Sequence, residues 1–148
     1  MNEEMQFVAF TLGNEEYAVD ILSVQEIIRS ADITRVPKAP DYVRGVSNLR
    51  GNIIPIIDSH LRLNLPSKND SSGINRIIVF RLEDSTIGMT VDSVTEVLSL
   101  DPENIEVPQV MSNIDKHFIK GIGKIDERLL IILDLQNLLE ICLYQKKE

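Results

Sequence analysis

The chain carries an internal repeat, and this repeat restricts its possible folds more than any other feature. When the sequence is shifted by 70 positions, Phe10 meets Phe80 and Glu26 meets Glu96. Repeats of this kind indicate two copies of one supersecondary unit. A half of about 70 residues buries too little surface to be stable alone, so we predict two similar halves sharing one core. A second block repeats at a shift of 76, with residues 42–46 matching 118–122 and residues 53–58 matching 129–134.

Within each half, the residue pattern is that of short strands joined by turns. Residues 6–20 are rich in aromatic and β-branched types on either side of Gly-Asn, which predicts a hairpin. Residues 21–28 begin like one helical turn and end with the alternation of a strand. Residues 43–48 and 53–57 form a second strand pair, in which Pro55 indicates an edge strand or a bulge. Each half therefore holds about five strands.

The connections and the end of the chain have their own signals. Residues 66–73 are a polar linker, and a longer loop near 102–115 accounts for the difference between the two shifts. Asp134 is a candidate N-cap for a terminal helix, and Asp58 occupies the same place before a shorter run. The helix is indicated by apolar residues spaced along one face, namely Leu135, Leu138, Leu139 and Cys142.

Charge and composition exclude several classes of function. The formal net charge of −8 argues against a protein that binds nucleic acid or an anionic membrane surface. The longest apolar run, residues 129–133, is far shorter than the roughly 20 residues of a membrane-spanning helix, so we expect no membrane insertion. Cys142 is the only cysteine, so no intrachain disulfide can form, and we expect a cytoplasmic protein.

Residues that could carry catalysis or bind a metal are few and scattered. His60 and His117 have no neighbouring cysteine or histidine in the sequence, whereas a zinc site needs three or four ligands. We expect His60 at the surface and Cys142 as a small apolar residue. Glu26 and Glu96 are interpreted as solvated charges. The sequence therefore predicts no enzyme, no cofactor and no metal site.

The segment around Arg50 is less easily explained. Gly51 and Asn52 follow this arginine and indicate the tip of a hairpin, outside the core. An arginine in such a turn is either merely solvated or part of a recognition site, and the residue types alone favour neither reading.

Three long segments resemble the signature of the CheW-type chemotaxis coupling proteins. These are residues 10–17, 20–27 and 43–58, within a resemblance that runs from residue 6 to residue 139. It implies a mainly β single domain over residues 1–148, made of two five-stranded SH3-like β-barrel subdomains in pseudo-repeat around a shared hydrophobic core. The implied subdomains span about 14–66 and 73–134, with strand exchange at the ends, and a C-terminal helix spans about 134–144.

The resemblance also implies a function. Such a protein is an adaptor that couples the cytoplasmic tip of methyl-accepting chemoreceptors to the regulatory domain of the histidine kinase CheA, in receptor arrays at the inner membrane. The alternative is a module excised from a larger chemotaxis protein, either the kinase itself or a coupling–receiver fusion. The kinase-binding face is expected around residues 29–56. Receptor contacts carry over to five positions, Val24, Glu26, Gly45, Arg50 and Val97, and we expect Val24 and Val97 to line an apolar groove between the halves.

Overall fold

The computed structural model describes residues 4–65, 76–107 and 116–139, and this part of the chain is mainly β. Its strands are β1 (Met5–Leu12), β2 (Glu15–Asp20), β3 (Val24–Ile28), β4 (Val43–Leu49), β5 (Asn52–Asp58), β6 (Arg76–Leu82), β7 (Ser85–Val91), β8 (Ser93–Leu100), β9 (Ile105–Glu106), β10 (Ile119–Ile125) and β11 (Arg128–Leu133). Its helices are α1 (Ser59–Arg62) and α2 (Leu135–Leu138), and 3-10 turns span Ile21–Ser23, Pro102–Asn104 and Lys116–Phe118. The predicted linker at 66–73 and Cys142 lie outside the described residues.

Local signals in the sequence account for the hairpins and the helix starts. Each of four hairpins closes through a two-residue turn, and Gly13 in the first has a φ of 65°. The helical turn followed by a strand, predicted over residues 21–28, is confirmed. Both predicted caps are confirmed, because the Asp58 carboxylate accepts from the amide of Leu61 and that of Asp134 accepts from Asn137, each at 3.1 Å.

The strands form two sheets, and each sheet takes a hairpin from the other half of the chain. One sheet has the order β8-β1-β2-β11-β10-β9 and the other β3-β6-β7-β5-β4. Short parallel pairings attach the exchanged hairpins, β2 to β11 and β7 to β5. Within the described residues the outermost strands of a sheet do not pair with each other, so the SH3-like sheets are open rather than closed barrels. No helix in that part of the chain is long and apolar enough to span a bilayer.

Of the two alternatives that Pro55 indicated, an edge strand or a bulge, the structure contradicts the first. β5 is not an edge strand, because it pairs with β4 on one side and with β7 on the other. The pairing of β5 with β7 begins only at Ile56. Pro55, which has no backbone N–H, therefore does not have to donate a hydrogen bond to β7. The register shift between β4 and β5 lies next to it, opposite Ile56 and Ile57.

The largest apolar cluster lies between the two sheets and belongs to both halves. Phe10 and Phe80, both fully buried, occupy equivalent positions in it: Phe10 pairs with Tyr17 and Val94, and Phe80 pairs with Ile87 and Val24. The predicted equivalence of Phe10 and Phe80 is thereby confirmed. Each sheet also has a smaller apolar cluster of its own, with Leu130 and Ile132 in one sheet and Ile56 and Val79 in the other.

Because the halves share this cluster, neither can keep its core once the other unfolds. We expect one cooperative unfolding transition, with a calorimetric enthalpy equal to the van't Hoff enthalpy. Differential scanning calorimetry of the whole chain provides the measurement. Two separated heat-absorption peaks would show that the halves are independent units.

Candidate partner-binding site

Arg50 occupies the turn between β4 and β5 and stands outside the core, as predicted. Arg50 and Gly51 have φ angles of 53° and 90°, as in a type I′ turn, and the Asn48 side chain accepts a 2.9 Å hydrogen bond from the Gly51 amide. The Arg50 side chain is 71% exposed, yet its guanidinium forms an ion pair with Glu26 on β3. This pair joins the edge strand β3 to the β4–β5 hairpin at the opposite edge of the same sheet, where the described strands do not pair with each other.

Glu26 is therefore not a solvated charge, and that expectation was wrong. Its side chain is only 18% exposed. A bulge in β3 shifts the register between Val24 and Glu26. Val24 pairs with Phe80 and packs partly buried against the shared core, while Glu26 pairs with Val79. Phe80 belongs to the shared core and Val79 to the smaller cluster on the other face of this sheet, so the bulge turns Val24 and Glu26 toward opposite faces of the outer strand.

Gly45 lies inside the structure rather than on its surface. It is buried, has a φ of 148°, and sits where the chain at Thr34 crosses β4 to form a bridge with Val46. A Cβ atom at Gly45 would lie 2.2 Å from the Thr34 carbonyl oxygen. The structure thus gives Gly45 a steric reason to be glycine, which is the close approach of two backbones.

Val97 lies on the other sheet from the remaining expected site residues. It belongs to the outer strand β8, pairs with Val8, and is 53% exposed. Its repeat equivalent, Ile27 on β3, is 40% exposed. Of the five sequence-predicted positions, the structure brings Glu26 and Arg50 into contact, places Val24 on the same strand as Glu26, buries Gly45 and places Val97 on the other sheet.

A second ion-pair cluster, which the sequence reasoning missed, occupies the corresponding place in the other sheet. Arg128, at the start of β11, contacts Glu16 on β2 with a bidentate pair at 3.1 and 2.9 Å and contacts Glu96 on β8 at 2.6 Å. The hydrogen bonds that Arg128 donates to Glu16 and then to Glu96 raise its pKa above the ordinary value for arginine. Glu96 is thus paired like Glu26. The repeat itself was the available signal, because it aligns the two glutamates.

The geometry offers no catalytic constellation in the described residues. A cleft of about 130 Å³ lies beside Asp20 and Asp134, but each carboxylate already caps a helical turn. His60, expected at the surface, is only 15% exposed, and its Nε2 lies 3.1 Å from the Asp92 carboxylate. Within residues 4–65, 76–107 and 116–139, no three His, Cys, Asp or Glu side chains converge on a possible metal position.

Comparison with known proteins decides the family. Residues 6–142 match the model of the CheW-like domain. The chain belongs to the CheW-like family. The structure of the scaffolding protein TtCheW from Thermoanaerobacter tengcongensis superimposes with a TM-score of 0.86 at 37% identity, covering 93% of this chain and 94% of that one.

Relatives from several bacteria support the same assignment. The chemotaxis protein CheW of Klebsiella aerogenes is 42% identical over 136 residues, which cover 90% of this chain and 81% of that protein. The CheW of Helicobacter pylori is 38% identical, with 94% and 84% covered. The chemotaxis protein CheV3 of the same organism is 27% identical, and the match covers 41% of it. These values favour the coupling-protein reading over a module of a larger protein, and the family resemblance drawn from the sequence is confirmed.

Proposed function

We propose that this CheW-like chain is a chemotaxis adaptor that couples the cytoplasmic tip of methyl-accepting chemoreceptors to the regulatory domain of the kinase CheA. The observation that carries the proposal is the Arg50–Glu26 pair, held on an exposed turn of a CheW-like domain. The adaptor acts by binding two partners and performs no chemical step. Its working place is the cytoplasmic side of the inner membrane, within receptor arrays.

The receptor tip is a helical structure, and we propose that it docks beside β3. Val24 offers partly buried apolar surface there, and burying such a side chain fully on binding contributes up to about 1.5–3 kcal/mol. Arg50 offers donors in a fixed position, because Glu26 holds its guanidinium. Charge-assisted hydrogen bonds from Arg50 would orient the helix.

The other two expected contacts take different roles in this proposal. Gly45 is buried and acts indirectly, by allowing the chain at Thr34 to pack against β4. Val97 is exposed on β8 and would meet the receptor only at the far side of a groove between the two sheets.

Pairwise binding tests the proposal. The purified chain should bind a soluble receptor cytoplasmic fragment and, in a separate experiment, the kinase regulatory domain, each with a measurable Kd by isothermal titration calorimetry. Receptor-fragment binding should also protect amides of β3 and of the β4–β5 turn from hydrogen exchange. Absence of binding to both partners would refute the adaptor role, and protection confined to another surface would refute the proposed site.

A further inference from the structure

Arg62, the last residue of α1, is clamped between the two halves of the molecule. Its guanidinium carbon lies 4.5 Å from the centre of the Tyr42 ring and 4.7 Å from that of the Phe118 ring. Its Nε donates a 2.6 Å hydrogen bond to the carbonyl of Leu138 in α2. A guanidinium held by two rings and one carbonyl has a fixed orientation, unlike that of an ordinary surface arginine.

One edge of this guanidinium is left open. Among the residues that the structure describes, none accepts a hydrogen bond from Nη1 or Nη2 of Arg62, and no carboxylate lies within ion-pair distance of it. Arg44, Arg50 and Arg128, in contrast, all contact carboxylates. Nε already donates to Leu138, so Nη1 and Nη2 are the guanidinium nitrogens that find no acceptor among the described residues. Their parallel N–H groups match the two oxygens of a carboxylate.

The surroundings of Arg62 suit a contact with another protein. The residue is partly exposed, and its neighbour Leu61 leaves 49% of its surface open to solvent. Clamped arginines beside apolar surface are frequent centres of binding energy, because little side-chain entropy is lost on binding and nearby apolar groups exclude water.

We propose that Arg62 is a binding site for an aspartate or glutamate carboxylate of the kinase. This inference rests on the adaptor function proposed above. β5 separates the Arg50 turn from α1, and its seven residues span about 20 Å. If the receptor occupies the Arg50 end, Arg62 belongs to a different surface, and an adaptor that holds both partners at once needs such a second surface.

Two substitutions and one control test the site. Arg62→Gln should weaken binding of the kinase regulatory domain at least about tenfold, because the charge and the fork are both lost. Arg62→Lys keeps the charge without the fork and should give a smaller loss. Arg81→Gln, which removes the same charge from an exposed position on β6, should change the Kd by less than about twofold. Receptor-fragment affinity should stay unchanged in all three variants.

A measurement on the unaltered protein removes the dependence on folding of the variants, since Arg62 also links α1 to α2. In ¹H–¹⁵N spectra of arginine side chains, the Nη signals of Arg62 should shift when the kinase regulatory domain is added and stay unchanged with the receptor fragment. Kinase binding that leaves these signals and the Arg62→Gln affinity unaffected would overturn the site alone. A response to the receptor fragment instead would overturn the choice of partner, and no kinase binding by the unaltered chain would overturn the adaptor proposal and this site together.

Discussion

Replacing Arg50 by glutamate is expected to abolish receptor binding while leaving the protein folded. The side chain is 71% exposed, and exposed ion pairs of this kind contribute about 0–1 kcal/mol to stability. The new carboxylate would face Glu26, so repulsion adds a loss of similar size. The sum is small beside the stability of a typical domain, about 5–15 kcal/mol. A loss of about 2–3 kcal/mol in binding would instead weaken receptor affinity by roughly 30- to 140-fold.

A charge exchange separates the two roles that Arg50 could have. The double variant Arg50→Glu with Glu26→Arg restores an ion pair between β3 and the β4–β5 turn, so its melting temperature should return toward that of the wild type. Receptor binding should remain lost, because the guanidinium then comes from β3. Calorimetric titration with the receptor fragment, beside thermal unfolding, gives both values. Full recovery of binding in the double variant would mean that Arg50 only joins the strands and does not contact the receptor.

Replacing Gly45 by alanine is expected to be among the most destabilising single changes in the chain. The added Cβ would lie 2.2 Å from the Thr34 carbonyl oxygen, and both partners are backbone, so no side chain can move aside. The φ of 148° adds a conformation that L-residues rarely adopt. We expect a loss of about 3 kcal/mol or more in the free energy of unfolding, measured by urea denaturation at constant m-value.

Two glycines provide matched controls for Gly45. Gly13→Ala tests the backbone conformation alone, because Gly13 has a φ of 65° and nothing within 4 Å of its would-be Cβ, and a loss of about 1–2 kcal/mol is expected. Gly121→Ala tests the repeat equivalent, where the would-be Cβ lies 2.7 Å from a methyl of Ile105 and 3.0 Å from the Glu106 carbonyl oxygen, so the backbone contact is looser than at Gly45 and a smaller loss is expected. If Gly45→Ala were as stable as these controls and still failed to bind the receptor, Gly45 would be a direct receptor contact.

The features that could be predicted from the sequence are those encoded by neighbouring residues. Hairpin turns follow from Gly, Asn and Asp between alternating apolar residues, and the caps Asp58 and Asp134 follow from their place before short helical runs. The equivalence of Phe10 and Phe80 followed from the repeat alone. The turn and cap signals each lie within a few neighbouring residues, and the repeat is a similarity between two such segments. None of them depends on how the chain packs in three dimensions.

The features that could not be predicted depend on contacts distant in sequence. A hairpin pattern does not specify which sheet the hairpin joins, so the exchange of β1–β2 and β6–β7 between the sheets became clear only in three dimensions. The partner of Glu26 is 24 positions away, and that of Arg62 in α2 is 76 positions away. Pairing Glu26 with Arg50 and Glu96 with Arg128 turns apparently solvated charges into links across the sheets.

The steric role of Gly45 was also invisible locally, although the repeat carried a hint of it. The shift of 76 aligns Gly45 with Gly121, and in both places a neighbouring segment crosses close to the glycine, Thr34 in one half and Ile105–Glu106 in the other. A glycine that recurs at the same place in both halves indicates a packing requirement of the shared architecture. A receptor contact made by one half gives no reason for glycine in the other.

Co-sedimentation of the kinase with receptor-containing membranes tests the adaptor role most directly. Kinase, this chain and membranes are combined at fixed concentrations, and the kinase in the pellet is measured with and without the chain. We predict that the wild-type chain raises the pelleted kinase several-fold, and that Arg50→Glu leaves kinase and chain together in the supernatant. Equal pelleting of the kinase with and without the wild-type chain would contradict the account.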